Sequence, residues 1–296
     1  MQFLIFAITY PIIWILSLLP MRVLYILSDF LYVLFFYLIG YRKKVVLENL
    51  QLAFPTKDIS ELKTIQKDFF KHFTDIFVES IKAFSITKKT LLKRYKFTNP
   101  ELINELYDKG RSIAFMGAHQ ANWEWSISIP LYVKIKCFGA YTRIGNKYFD
   151  KTVKKSRTKF GFIGYKTSET IKSITRNFDK GIQGLYLLLS DQSPQIHKTH
   201  YWREFMGIKV PIHTGAEMIA KKFDMAVVNY SVKKLKRGYF EVTFETITEH
   251  PNNFKDYEIT DKYLAITERN INTQPAYYLW SHKRFKHKNK VPKGWQ

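Results

Sequence analysis

Ser112-Ile113-Ala114-Phe115-Met116-Gly117-Ala118-His119-Gln120-Ala121-Asn122-Trp123-Glu124 is the stretch from which the rest of the chain can be read. Its first five residues form a short apolar run of the kind a buried strand makes. A glycine, a histidine and, five residues later, a glutamate follow. On one continuous helix, residues five apart point about 140° away from each other. For the two to act together, His119 must sit in the turn leaving the strand and Glu124 on the first turn of the next helix. That placement makes an exposed imidazole oriented by a carboxylate, a general base able to take a proton from an alcohol. The spacing alone is weak evidence, since chance pairs of this kind are common, and its weight comes from what surrounds it.

Working outward, the chain from about residue 41 alternates between helical and extended patterns. Residues 42–53 and 58–84 read as helices, the second with Ile65, Phe69, Phe73, Ile76, Phe77 and Ile81 at three- and four-residue steps. A short helix at 100–107 ends at Gly110. Strand 112–117 is followed by a helix at 122–133, a strand at 135–142, a helix at 147–160, an extended piece at 162–165 and a helix at 168–177. Gly184 to Ser190 is an unbroken apolar run, the mark of a central strand buried on both faces. Beyond it come a helix after Pro211, strands at 225–232 and 238–247, and a helix at 257–273. Such alternation implies an α/β fold with a mixed, largely parallel central sheet flanked by helices. With no internal repeat or linker, residues 41–296 read as one catalytic domain.

In open α/β sheets, ligands bind beyond the carboxyl ends of the strands. His119 lies just past one such end, and Asp191 lies just past the 184–190 strand. Arg143 ends the 135–142 strand in the same way, and Asn146 and Arg157 bracket the helix that follows. Each has a plainer reading. Arg157 sits among Lys154, Lys155 and Lys159, as a solvated helix residue would, and Asp191 could cap a turn.

The first 40 residues differ in kind. Met1 to Met21 carries no charged side chain, and Phe3 to Leu19 is nearly all apolar, at the short end of the roughly 17–25 residues needed to cross a bilayer. No Lys or Arg precedes the run and no small-x-small site follows it, which argues against a cleaved signal peptide. Val23 to Tyr41 is a second apolar stretch, with Asp29 its one charged residue before Arg42. Arg22 and Asp29, seven apart, share one stripe of a helix. Residues 1–19 are expected to form a transmembrane anchor, and 21–40 a second apolar helix that spans the membrane or lies in its interface. A buried core hairpin is the alternative.

The formal net charge of +22 therefore belongs entirely to residues 41–296, since 1–40 hold one base and one acid. Arg42-Lys43-Lys44 directly after the apolar stretch argues for a cytoplasmic domain. His282 to Lys290 is a second basic cluster with no acid through Gln296. A domain this basic needs an anionic partner, and a hydrophobic segment on the same chain favours an anionic membrane surface. The lone Cys137 permits no internal disulfide, and its alternating strand context makes it a buried structural thiol.

Taken together, these residues resemble the lipid A biosynthesis acyltransferases, the late acyltransferases of lipopolysaccharide assembly, which carry a His-x4-Asp/Glu box. Gly117-x-His119-x-x-Asn122-Trp123-Glu124 is similar to that box. The resemblance extends to the apolar N-terminus, Tyr141-x-Arg143-x-x-Asn146 with Arg157 downstream, Asp191-Gln192, Phe205-x-Gly207, Gly215 and Trp280-x-His282-Lys283-Arg284-Phe285-Lys286. It implies a catalytic pair of His119 and Glu124, with Arg157 and Asp191 in the site and Arg143 and Asn146 as substrate-binding candidates. It also implies an acyl carrier protein as donor, a lipid acceptor, neither metal nor cofactor, and residence at the bacterial inner membrane. In that reading Glu124 holds the imidazole's tautomer. Asp191 pairs with Arg157 or binds an acceptor hydroxyl. Relatives with the Asn-Trp-Glu form act on other lipids, mannosides included, so another glycolipid, phospholipid or aminolipid is the alternative acceptor. Two other classes fit less well. A nucleic-acid-binding protein leaves the apolar N-terminus idle and shows no motif for the task. A hydrolase using His197, His200 or His213 on a metal lacks helical His-x3-His spacing.

Overall fold

The computed structural model describes residues 1–295. Seven strands form one sheet in the order β1-β9-β8-β2-β5-β3-β4. They are β1 (Tyr95–Phe97), β2 (Ile113–Gly117), β3 (Lys136–Tyr141), β4 (Ile163–Lys166), β5 (Gly184–Leu189), β8 (Ala226–Lys236) and β9 (Tyr239–Thr248). Five of them, β8, β2, β5, β3 and β4, run parallel, while β9 turns back on β8 and β1 pairs parallel to β9. The mixed, largely parallel α/β sheet read from the alternation is the one observed. Its centre is β2 between β5 and β8, all five residues of β2 being buried. That is why this stretch and 184–190 contain so little polarity.

Helices cover both faces: α3 (Lys43–Ala53), α4 (Ile59–Lys82), α5 (Lys88–Arg94), α6 (Glu101–Asp108), α7 (Lys147–Arg157), α8 (Thr170–Asp179), α9 (Gly215–Lys222) and α10 (Glu258–Thr273). Two extended pieces, β6 (Trp202–Phe205) and β7 (Ile208–Pro211), form a separate hairpin that the alternation did not announce. The expected 122–133 helix is a 3-10 helix at Trp123–Leu131, with Pro130 inside it. Longer runs of this tighter coil are uncommon. Here Asn122 starts it, its Oδ1 accepting the Trp125 amide at 3.1 Å. Cys137 is buried on β3, as expected, and burial pushes its thiol up to about 12.

The apolar N-terminus forms α1 (Gln2–Leu18) and α2 (Met21–Val33), the latter running on as a π-helical segment to Ile39. Met21–Ile39 is long and apolar enough to cross a membrane, and α1 falls just short. One side of α2 belongs to the protein interior. Leu24 and Ser28 are fully buried, and Phe36 packs on Phe70 of α4 at 5.3 Å between ring centres. Asp29, the one acid of the segment, is paired with Arg237 in the β8–β9 turn. Gly238 completes that turn with φ +73°, and a Cβ there would lie 2.0 Å from the Tyr25 hydroxyl of α2. Only glycine allows both the backbone and the contact.

Candidate active site

β2 and β5 are neighbours in register, with Gly117 opposite Leu189. Two residues further along each strand, His119 and Asp191 therefore face one another beyond the carboxyl edge. His119 Nδ1 donates to Asp191 Oδ1 at 2.7 Å, and the His119 backbone amide donates to Asp191 Oδ2 at 3.1 Å. The carboxylate is buried at 1% exposure, whereas the imidazole keeps 19%. With Nδ1 taken, Nε2 is the nitrogen left for a substrate.

The turn that carries His119 is held from behind. Ala121 adopts a left-handed conformation, φ 49°, and its amide donates to the Tyr277 carbonyl. The His119 carbonyl accepts from Leu279, and Tyr278 Oη donates to the Asp191 carbonyl at 3.2 Å. His282, close by, accepts the Ser193 amide on Nε2. Burial, with the charges of Lys286 and Arg284, holds it down at about 4, which keeps that nitrogen an acceptor. The Trp280-x-His282 signature thus lies against the histidine turn, a placement that its sequence position could not reveal.

Burial alone would lower the His119 pKa. The charge and hydrogen bond of Asp191, aided by Glu124, outweigh it and leave the pKa above the ordinary 6.5. Burial alone would raise the pKa of Asp191, but the charge and hydrogen bonds of His119 bring it below the ordinary carboxylate value. The pair's contribution to stability fades as pH falls through the lowered carboxyl pKa. It fades again as pH rises through the raised imidazole pKa, so it is greatest between the two.

Glu124 departs from the role expected of it. Arg157 Nη2 donates to both of its carboxylate oxygens, at 3.0 and 2.9 Å, and the acid that holds the imidazole is Asp191. From the first turn of the 3-10 helix, Glu124 meets Arg157 of α7 at the cavity wall. Asp191 pairs neither with Arg157 nor with open space. His119, Glu124 and Arg157 line one cavity of about 450 Å³ with Tyr141 and Lys154, and its walls include Ile127, Val153, Phe162, Leu187 and Leu189.

The other candidates lie elsewhere. Arg143 is exposed and outside the cavity lining. Asn146 caps α7, its Oδ1 accepting from Tyr148 and Phe149, and its Nδ2 donates to the Gln2 carbonyl at 2.9 Å. His197 and His200 are exposed loop residues, and among the described residues no three His, Cys, Asp or Glu side chains gather as a metal site would require.

The sequence profile of the bacterial lipid A biosynthesis acyltransferases matches residues 2–287, nearly the whole chain. The chain belongs to that family. No single curated protein matches it. For a lipid A biosynthesis acyltransferase, a basic imidazole at the wall of a partly apolar cavity is a fitting arrangement.

A residue missed by sequence reasoning is Glu79 of α4, fully buried, which accepts from Asn122 Nδ2 at 2.7 Å and from Tyr25 Oη at 2.8 Å. Burial first, then the nearby charge of Asp75, raises its carboxyl to about 7. Nothing in the α4 periodicity singles it out, because a Glu in a helix is ordinarily solvated.

The Glu124–Arg157 pair is open to solvent, at 28% and 40% exposure, so it adds little to stability. Arg157→Ala is therefore expected to lower turnover severalfold or more while shifting the melting temperature by only a few degrees. Full activity in both Arg157→Ala and Arg157→Lys, measured on a lipid acceptor, would confine the chemistry to His119 and Asp191.

Proposed function

We propose that this family member moves a fatty acyl chain from an acyl carrier protein thioester to a hydroxyl of a lipid A precursor, at the cytoplasmic face of the bacterial inner membrane. The observation that carries the reading is the His119–Asp191 pair at the cavity wall, with Nδ1 bound and Nε2 left free. In the reaction, His119 Nε2 takes the acceptor hydroxyl proton as the oxygen attacks the thioester carbonyl. The tetrahedral intermediate then expels the donor thiolate, which takes that proton back from the imidazolium. Asp191 fixes the tautomer and stabilises the imidazolium. Arg157, steadied by Glu124, offers a positive charge to the oxyanion or to a phosphate of either substrate. Ile127, Val153 and Phe162 give the acyl chain an apolar wall. The excess of base over acid favours both an acidic carrier protein and a phosphorylated acceptor.

In this reading residues 1–40 attach the enzyme to the membrane and 41–296 carry the chemistry. Purified enzyme given acyl carrier protein thioester and a lipid A precursor should yield a product heavier by one acyl group, read by mass spectrometry. Transfer from no thioester donor to that acceptor would overturn the assignment.

Deleting residues 1–19 should release the protein from membranes only in part, because α2 and the basic surface remain. The residual attachment should weaken with salt, as the Debye length falls from about 10 Å at 0.1 M to 3 Å at 1 M. Sedimentation with vesicles checks it, and complete solubility at low salt would contradict a second membrane-binding element.

A further inference from the structure

The two N-terminal helices touch the catalytic domain along their whole lengths. At the start of α1, the Gln2 carbonyl accepts from Asn146 and its side chain donates to the Gly145 carbonyl. Beside it and one turn on, Phe3 and Phe6 pack on Tyr148 of α7, and Phe6 also on Phe149 of the same helix. Tyr10 meets Phe84, and at the far end the Ser17 carbonyl accepts from Lys82 and Ser85. Along α2, Tyr25 reaches Glu79, Ser28 donates to Asp75 at 2.8 Å, and Phe36 meets Phe70.

These contacts weigh against crossing a bilayer. α7, which runs beside the first half of α1, carries Lys147, Lys151, Lys154 and Lys155 and buries no residue. The β8–β9 turn rests on the middle of α2 through Arg237, which donates to Asp29 and Asp75, and Lys236 precedes it. Were either helix to span, these groups would be carried into hydrocarbon, at about 2.5–3.5 kcal/mol for each unpaired charge near the centre. The length of α1 agrees: 17 residues rise only about 25 Å, short of the roughly 30 Å core.

The opposite faces are apolar and open. On α1, Leu4, Ile8, Ile12 and Ile15 are each about half exposed or more, at three- and four-residue steps. On α2, Val23, Ile26, Phe30, Val33 and Tyr37 repeat the pattern over four turns. Arg22 at the joint and Lys44 beyond the end are exposed, as suits residues at the level of anionic headgroups. Ile144, which lines the cavity, is 37% exposed and lies two residues before Asn146, which donates to the Gln2 carbonyl at the start of α1.

We infer that α1 and α2 both lie in the plane of one leaflet, neither crossing it, and form a lipid-facing platform onto which the active-site cavity opens beside Ile144. The partner surface is an anionic phospholipid leaflet. The acceptor then reaches His119 sideways from the membrane, without passing through water. In this inference α1 lies flat where the sequence reading places a transmembrane anchor at 1–19, since length and apolarity do not distinguish a helix that spans from one that lies flat. This inference rests on the membrane association proposed above.

Two measurements on the full chain, in a Cys137→Ser background, test it. Spin labels at Leu4, Ile8, Ile12 and Ile15, and at Ile26, Phe30 and Val33, are read for depth by oxygen against a water-soluble relaxant. The vesicles are of phosphatidylethanolamine and phosphatidylglycerol. Residues on the open stripe should sit at one shallow depth, about 5–10 Å into the leaflet. A depth changing steadily by about 1.5 Å per residue along either helix would overturn the inference. Separately, Gln2→Cys, Arg22→Cys and Lys44→Cys should all react with an impermeant maleimide from the face that labels Lys198→Cys in the catalytic domain. Reaction of any of the three from the opposite face would also overturn it. Binding with opposite-face labelling sinks the platform alone, whereas failure to bind vesicles sinks membrane association as well.

Discussion

Replacing His119 is expected to lower turnover by about 10²–10⁴-fold, the usual cost of removing a general base. Two substitutions are needed to read this cleanly. His119→Ala strips the buried Asp191 of its side-chain partner, and an orphaned buried charge costs several kcal/mol of stability. Part of any loss of activity would then be loss of fold. His119→Asn keeps an N–H donor near the position of Nδ1, so the carboxylate stays satisfied while the base is gone. The expected result is a His119→Asn protein with a near-normal melting temperature and almost no acyl transfer. Turnover close to that of the unmodified enzyme in this variant would sink the proposed chemistry.

Asp191→Asn should cost as much or more. An amide in place of the carboxylate no longer selects the tautomer with the proton on Nδ1, and it removes the charge that stabilises the imidazolium. In the Ser-His-Asp arrangement the corresponding change costs about 10⁴-fold. A second signature separates this role from a structural one. Activity of the unmodified enzyme should rise with pH through a pKa above 6.5, because the base must be neutral to work. In Asp191→Asn the main upward pushes on that pKa are gone while burial still lowers it, so the residual activity should inflect at lower pH. An inflection unchanged in the variant would show that Asp191 does not govern the imidazole.

The parallel sheet was legible because its evidence is local. Buried central strands such as 113–117 and 184–189 are continuous apolar runs, and each is followed by a turn that carries a site candidate. The position of His119 in the turn after β2 was equally plain, since a five-residue step to Glu124 excludes a single helix. The partner of His119 was not. Asp191 reaches it only because β5 pairs with β2, a relation between segments 72 residues apart that no spacing encodes. Glu124 was the nearer acid in sequence, but its carboxylate is taken by Arg157, 33 residues away. Asn146 caps α7, and sequence alone does not separate that use of an asparagine at a strand-to-helix junction from substrate binding. The three-residue β1 lay below the length at which alternation can be recognised, and the β6–β7 hairpin carries no clear alternation of apolar and polar residues.

Glu79 ties two parts of the enzyme together with one proton. It accepts from Tyr25 on α2 and from Asn122, which starts the helix carrying Glu124. Its carboxyl is raised to about 7 from an ordinary 4.5, so between those values the folded protein holds a proton that the unfolded chain has released. Stability from this group is therefore present in acid and is lost as pH rises toward 7. The imidazole of His119 asks for the reverse, becoming a free base only on the alkaline side of its raised pKa. The working pH of the enzyme is then a compromise. A more alkaline medium frees the base while leaving an unfavourable buried charge on Glu79, between α2 and the helix that carries Glu124.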